Sequence, residues 1–184
     1  ITTLLPPDAA IVSTTGHISR ELFEHRVRKG EGHTRDFLTV GSMGHASQLA
    51  LGIALADPQR PIVCLDGDGA TLMHMGGMAI AGTSGARNLL HVVLNNGSHD
   101  SVGGQATVGF RVNLVQIATA CGYRSACLAE GLESVQSSLE QISFSDGPHF
   151  MEVRVAKGAR KDLGRPTTKP ADNKQVFMDF LGTR

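Results

Sequence analysis

Six short apolar or β-branched runs, separated by longer stretches of helical spacing, leave this 184-residue chain few ways to fold. The runs fall at residues 10–13, 37–40, 62–65, 89–94, 125–128 and 150–155, and helices are expected over 19–28, 46–56, 73–83, 114–121 and 132–142. Strand and helix in regular succession mark an α/β chain: a three-layer α/β/α architecture around a mainly parallel central sheet. The 22 glycines and only 4% aromatics suit tight strand-to-helix turns better than a sandwich packed on large rings. The middle strands read as buried, whereas Phe150-Met151-Glu152-Val153-Arg154-Val155 alternates like an edge strand with one wet face. Residues 1–156 are expected to form one domain. Residues 157–184 are a basic, proline-bearing arm packed on that domain or on a partner, ending in a helix over 173–181 with Val176, Phe177, Phe180 and Leu181 as its apolar stripe.

Composition narrows the function classes. Seventeen basic residues against seventeen acidic ones argue against a general affinity for nucleic acid or anionic membrane, so any anion site is local. No run approaches the length of a membrane span, and the opening segment lacks the pattern of a secretory signal. Cys64, Cys121 and Cys127 are odd in number, lack CxxC spacing and sit among apolar residues, as buried free thiols of a reducing cytoplasm would. Ile1 in place of a starting Met hints at a missing upstream part.

In open α/β sheets ligands bind beyond the carboxyl ends of the strands, which directs attention to four loops. The first two segments of interest are Asp66-Gly67-Asp68-Gly69-Ala70 and, after the next strand, Asn95-Asn96-Gly97-Ser98. An aspartate and an asparagine at neighbouring strand ends can converge on one hard cation and leave room for water and phosphate oxygens, as magnesium prefers. Gly67 and Gly69 let backbone approach a bulky anion, with the N–H groups of a following helix in reach. Taken singly, Asp68 or Asn96 could equally cap a helix or a turn. A Walker A loop is absent, and Leu72 stands where a dinucleotide fingerprint needs its third glycine. Two further loops follow strands: Thr14-Thr15-Gly16-His17-Ile18-Ser19 and Val40-Gly41-Ser42-Met43-Gly44-His45.

Gly-Asp-Gly followed nearly thirty residues later by Asn-Asn resembles the thiamine diphosphate-dependent enzymes, over residues 10–156. The resemblance implies the thiamine diphosphate-binding fold, with thiamine diphosphate and Mg2+ as cofactors. It implies that Asp68, Asn96 and the Ser98 carbonyl hold the metal, that Gly67, Gly69 and Ala70 meet the diphosphate, and that Thr15, Gly16 and His17 touch it too. Gly41, Ser42 and Met43 would hold the aminopyrimidine, the Gly41 carbonyl accepting from its amine and Met43 bending the two rings so that the amine reaches the thiazolium carbon.

The stretches Asn95 to Gln105 and Asp162 to Pro170 look like those of phosphonopyruvate decarboxylases, and nearly as much like sulfopyruvate decarboxylases. Val102 stands where pyruvate-type decarboxylases carry a glutamate, so His99, Gln105 and the basic arm are candidates to meet a small anionic 2-oxoacid. Met43 and His99 are the candidate catalytic residues. The family's activating glutamate belongs to a pyrimidine-binding domain, and Glu21, Glu24, Glu130 and Glu133 fall at helices in the wrong places. A partner domain is therefore implied, either a separate subunit or an upstream part of the polypeptide, within a homo- or hetero-oligomer. Carboligation of the acetolactate synthase kind and a non-catalytic binding subunit are the alternatives. His45, His74 and His91 read as structural.

Overall fold

A computed structural model describes residues 1–182. Six strands are present: β1 (Ala10–Ser13), β2 (Asp36–Leu38), β3 (Ile62–Gly67), β4 (Leu89–Asn95), β5 (Ser125–Glu130) and β6 (His149–Arg154). They form one sheet in the order β2-β1-β3-β4-β6-β5, and every neighbouring pair is parallel. The helices are α1 (His17–Lys29), α2 (Ala46–Ala56), α3 (Asp68–Met73), α4 (Gly76–Thr83), α5 (Leu114–Ala120), α6 (Gly131–Glu140) and α7 (Pro170–Leu181).

Alternate residues of each strand point to opposite faces, and both faces are covered. Val12, Ile62, Cys64 and Val93 meet Ala50, Ala54, Met78, Ala81, Ala118 and Phe177 on one side. Ile11, Val63, Leu65, Val92 and Met151 meet Leu22, Phe23, Val135 and Leu139 on the other. This is the three-layer α/β/α arrangement, and burial on both faces explains why the central strands read as unbroken apolar runs. No helix of the described residues is long and apolar enough to cross a membrane.

Five expectations need correction. Strand β6 is interior, lying between β4 and β5, and Glu152 is 2% exposed. Its carboxylate accepts from Asn95 Nδ2 at 2.7 Å and pairs with Arg154 Nε at 2.8 Å, so the polar positions of that strand are a buried pairing rather than a wet face. The edge belongs to β5. The helix expected at 73–83 is two, broken at His74, with α3 starting directly at the end of β3. Val40 lies beyond β2 and is exposed, because β2 closes at Leu38. In α7 the packed stripe is Phe177, Phe180 and Leu181, and Val176 faces out. Of the free thiols, Cys64 is buried whereas Cys121 and Cys127 are only partly so.

Two polar anchors fix the periphery. Buried Arg26 of α1 grips Asp36 of β2 through Nε at 2.8 Å and Nη2 at 2.9 Å. Asn173 of α7 donates to the Asp36 carbonyl at 2.8 Å and accepts from Leu38 N–H at 3.0 Å, so a side chain stands in for the missing neighbour strand.

Candidate active site

Because all strands run the same way, the loops after β1, β2, β3 and β4 gather at one end of the sheet, around a cleft of about 480 Å³. Thr15 and His17 come to it from the first loop and Met43 from the second. Gly67, Asp68, Gly69 and Ala70 come from the third, and Asn96, Ser98 and His99 from the fourth.

Asp68 opens α3 and is 1% exposed. Its Oδ2 accepts from the Thr107 hydroxyl, and no basic side chain pairs with it among the described residues. The approach of the 107–109 segment depends on Gly109, where a Cβ would stand 2.5 Å from Asp68 Oδ2 and 2.7 Å from Asn95 Oδ1. Gly69 is packed the same way, since a Cβ there would lie 2.4 Å from the His99 ring.

The loop after β4 is laced by its own side chains. Asn96 Oδ1 accepts from Ser98 N–H at 3.0 Å, Asn96 Nδ2 donates to Asp100 at 2.8 Å, and Ser98 Oγ donates to Asp100 at 2.7 Å. Burial pushes the Asp100 carboxyl up, but the Ser98 hydroxyl, the Gly158 N–H and the Lys157 charge outweigh this and hold it below its ordinary value. Beneath, Asn95 Nδ2 donates to the Gly109 carbonyl at 2.9 Å as well as to Glu152.

Four candidate residues do not line the cleft. Gly16, with φ of 98°, lies against Ser101 and borders a neighbouring cavity. Gly41 is exposed and donates its N–H to the Thr15 hydroxyl at 3.1 Å, and Ser42 is exposed in a left-handed conformation, φ 49°. Gln105 also stays outside, exposed, its carbonyl accepting from His99 N–H at 2.8 Å. Asp100, Thr107 and Gly109 are additions that sequence reasoning missed. Thr14 belongs to the loop that the sequence had singled out, whereas Thr107 and Gly109 carry no local signal. His91 is buried with its Nδ1 3.1 Å from the Tyr123 hydroxyl and its Nε2 3.4 Å from Asp66, beneath the sheet end rather than in the cleft.

Three features of the cleft suit a diphosphate carried with a divalent cation. The Thr14 hydroxyl is buried without a partner among the described residues. Helices α1 and α3 both start at the cleft with no side chain capping their first N–H groups. A buried carboxylate without a counter-charge faces the same space, where an anion alone would be repelled and a cation between the two would satisfy both.

Residues 14–153 match the family model described as the thiamine pyrophosphate enzyme, C-terminal TPP binding domain. The chain belongs to this family. As a TPP-binding domain it shares 41% identity with a phosphonopyruvate decarboxylase of Streptomyces viridochromogenes, over 97% of this chain and 44% of that protein. A sulfopyruvate decarboxylase subunit beta of Methanothermobacter thermautotrophicus is 35% identical, over 82% of this chain and 76% of the subunit. The domain thus spans less than half the length of the phosphonopyruvate decarboxylase it matches and most of the separate subunit. Among solved structures, the fold is shared with benzoylformate decarboxylase from Polynucleobacter necessarius, at a TM-score of 0.66 and 19% identity over 86% of this chain and 32% of that one.

Proposed function

We propose that this TPP-binding domain is the diphosphate- and magnesium-holding half of a decarboxylase that converts phosphonopyruvate to phosphonoacetaldehyde and carbon dioxide. The observation that carries the reading is the pairing of Asp68, at the end of β3, with Asn96, at the end of β4, on one cleft into which uncapped helix N-termini open. The 41% identity to a phosphonopyruvate decarboxylase supports the choice of substrate.

In this reading Asp68, Asn96 and the Ser98 carbonyl hold Mg2+, with Gly67, Gly69 and Ala70 giving the diphosphate close access to backbone. Thr14, Thr15 and His17 bind the same anion from the α1 side. Met43, which lines the cleft, supports the ring system, and Gly41 and Ser42 meet the pyrimidine at the margin. When bound, thiamine diphosphate supplies a thiazolium ring that accepts the electron pair left as carbon dioxide departs. Thr107 keeps the Asp68 carboxylate aimed, and the His99 ring, packed close against Gly69, closes one wall against water. The activating carboxylate comes from a pyrimidine-binding partner domain, so this chain by itself is inactive.

The match to most of a separate sulfopyruvate decarboxylase subunit favours a second reading, in which the partner is a distinct polypeptide and the tail of the substrate a sulfonate. Steady-state assays of the assembled enzyme with thiamine diphosphate and Mg2+ test both. The expected result is a higher kcat/KM for phosphonopyruvate than for sulfopyruvate, with phosphonoacetaldehyde as product. Preference for sulfopyruvate would reverse the substrate choice, and a condensed acetohydroxyacid as product would make the protein a carboligase.

A further inference from the structure

The basic side chains of the C-terminal arm are put to different uses. Arg160 is spent on Glu21 and Glu24 of α1, and Lys157 donates to the Gly104 carbonyl at 3.0 Å. Arg165 takes part in no ion pair or hydrogen bond among the described residues, yet it lines a second cavity of about 380 Å³. That cavity shares Thr15 and Ser101 with the cleft, so the two spaces adjoin.

Its lining is chemically one-sided. Arg20 of α1 enters it and donates Nε–H to the Gly164 carbonyl at 2.6 Å and Nη2–H to the Leu163 carbonyl. Both acceptors are neutral, so the charge of Arg20 remains uncompensated, and no carboxylate lines the cavity among the described residues. Ser101 and Thr168 line the same space, and their hydroxyls hold no hydrogen bond among the described residues. Two guanidinium groups and two free hydroxyls without a counter-charge form a receptor for an oxyanion.

The position of Arg165 is built in. Gly164 is tied on both sides, its N–H to Glu24 at 2.5 Å and its carbonyl to Arg20. Pro166 restricts the preceding residue to extended backbone, and Asn173 pins the far end of the segment to β2. An arm held at both ends presents Arg165 to the cavity with little backbone entropy left to lose on binding.

We infer that this cavity is the subsite for the anionic tail of the substrate, a tetrahedral phosphonate or sulfonate on the carbon next to the 2-oxo group, gripped by Arg165 and Arg20. The inference rests on the decarboxylase reading of the adjoining cleft. Two cations match a phosphonate dianion more closely than a sulfonate monoanion, so loss of Arg165 weakens phosphonate binding more.

The test uses the cofactor-loaded assembly with Arg165→Ala and Arg165→Lys. Steady-state assays compare phosphonopyruvate, sulfopyruvate and 2-oxobutanoate, whose tail is uncharged, and calorimetry follows methylphosphonate and methanesulfonate. For Arg165→Ala the kcat/KM ratio of phosphonopyruvate to 2-oxobutanoate falls roughly 10- to 100-fold, the scale of lost charge-assisted hydrogen bonds. Methylphosphonate binding weakens in parallel, and Arg165→Lys recovers part of both. An equal change for all three oxoacids, or methylphosphonate affinity untouched by Arg165→Ala, would mean that the cavity is only a seam between the arm and α1. Should the parent assembly decarboxylate none of the three, the functional reading fails, while the methylphosphonate titration still decides whether the subsite exists.

Discussion

The loops after β4 and β2 open at the same end of the sheet and are built in opposite ways. In the first, Asn95, Asn96, Ser98 and Asp100 hydrogen-bond to one another and to nearby backbone, and Thr107 ties the segment to Asp68. In the second, the Gly41 N–H and the His45 N–H make the visible bonds, Val40 is 69% exposed, and Gly41, Ser42 and Gly44 all take positive φ. A dense polar network holds donors where charge must be met, and it loses little freedom when an ion arrives. The open loop leaves its apolar residue uncovered. In the proposed enzyme the metal end of the site is thus complete in this chain, and the pyrimidine end is finished by another domain.

Substitutions that respect or violate this contrast should differ in size. Gly109→Ala places a Cβ against Asp68 Oδ2 and Asn95 Oδ1, and is expected to weaken Mg2+-dependent cofactor binding about 10- to 100-fold in calorimetric titrations. A variant of unchanged affinity would show that Asp68 has slack. Asn95→Leu removes the donors to Glu152 and the Gly109 carbonyl and leaves buried acceptors unpaired, so urea unfolding should show a loss of about 2–3 kcal/mol. In the other loop, Ser42→Gly relieves a left-handed serine while loosening the unfolded chain, and these offset one another to within about 1 kcal/mol. A large loss there would mean that the second loop is as closely specified as the first.

A weaker contrast concerns pH. The Arg160 guanidinium and the Gly164 N–H hold the Glu24 carboxyl below its ordinary value of 4.5. A depressed carboxylate stabilises the docked arm fully above that value and ceases to as pH falls through its lowered pKa. Hydrogen exchange in residues 160–165 should therefore rise in acid, below pH 4.5, before the sheet opens. Simultaneous exchange of arm and sheet would contradict this.

The α/β layering was legible because buried strands leave unbroken apolar runs. Asp68 and Asn96 were visible because polar residues interrupt such runs at their carboxyl ends. Glu152 was misread for a related reason: alternation signals a wet face only if the polar letters lack partners. The register that sets Val93 beside Glu152 and Asn95 beside Arg154 pairs strands far apart in the chain, which no local pattern reveals. Thr107 escaped notice likewise, lying 39 residues from the carboxylate it touches. The fate of Arg160 and Arg165 could not be told apart from composition, since both are arginines of one basic arm and only the docking on α1 distinguishes them.

The most direct test of the account is the affinity of the assembly for thiamine diphosphate with Mg2+ and with chelator, measured by calorimetry for the parent and for Asp68→Ala. Mg2+ should strengthen binding by at least about 100-fold in the parent and hardly at all in the variant, with the circular dichroism of the two superimposable. Equal dependence on Mg2+ in both proteins would contradict the assignment of Asp68 as the metal-holding carboxylate, and the proposed function would fall with it.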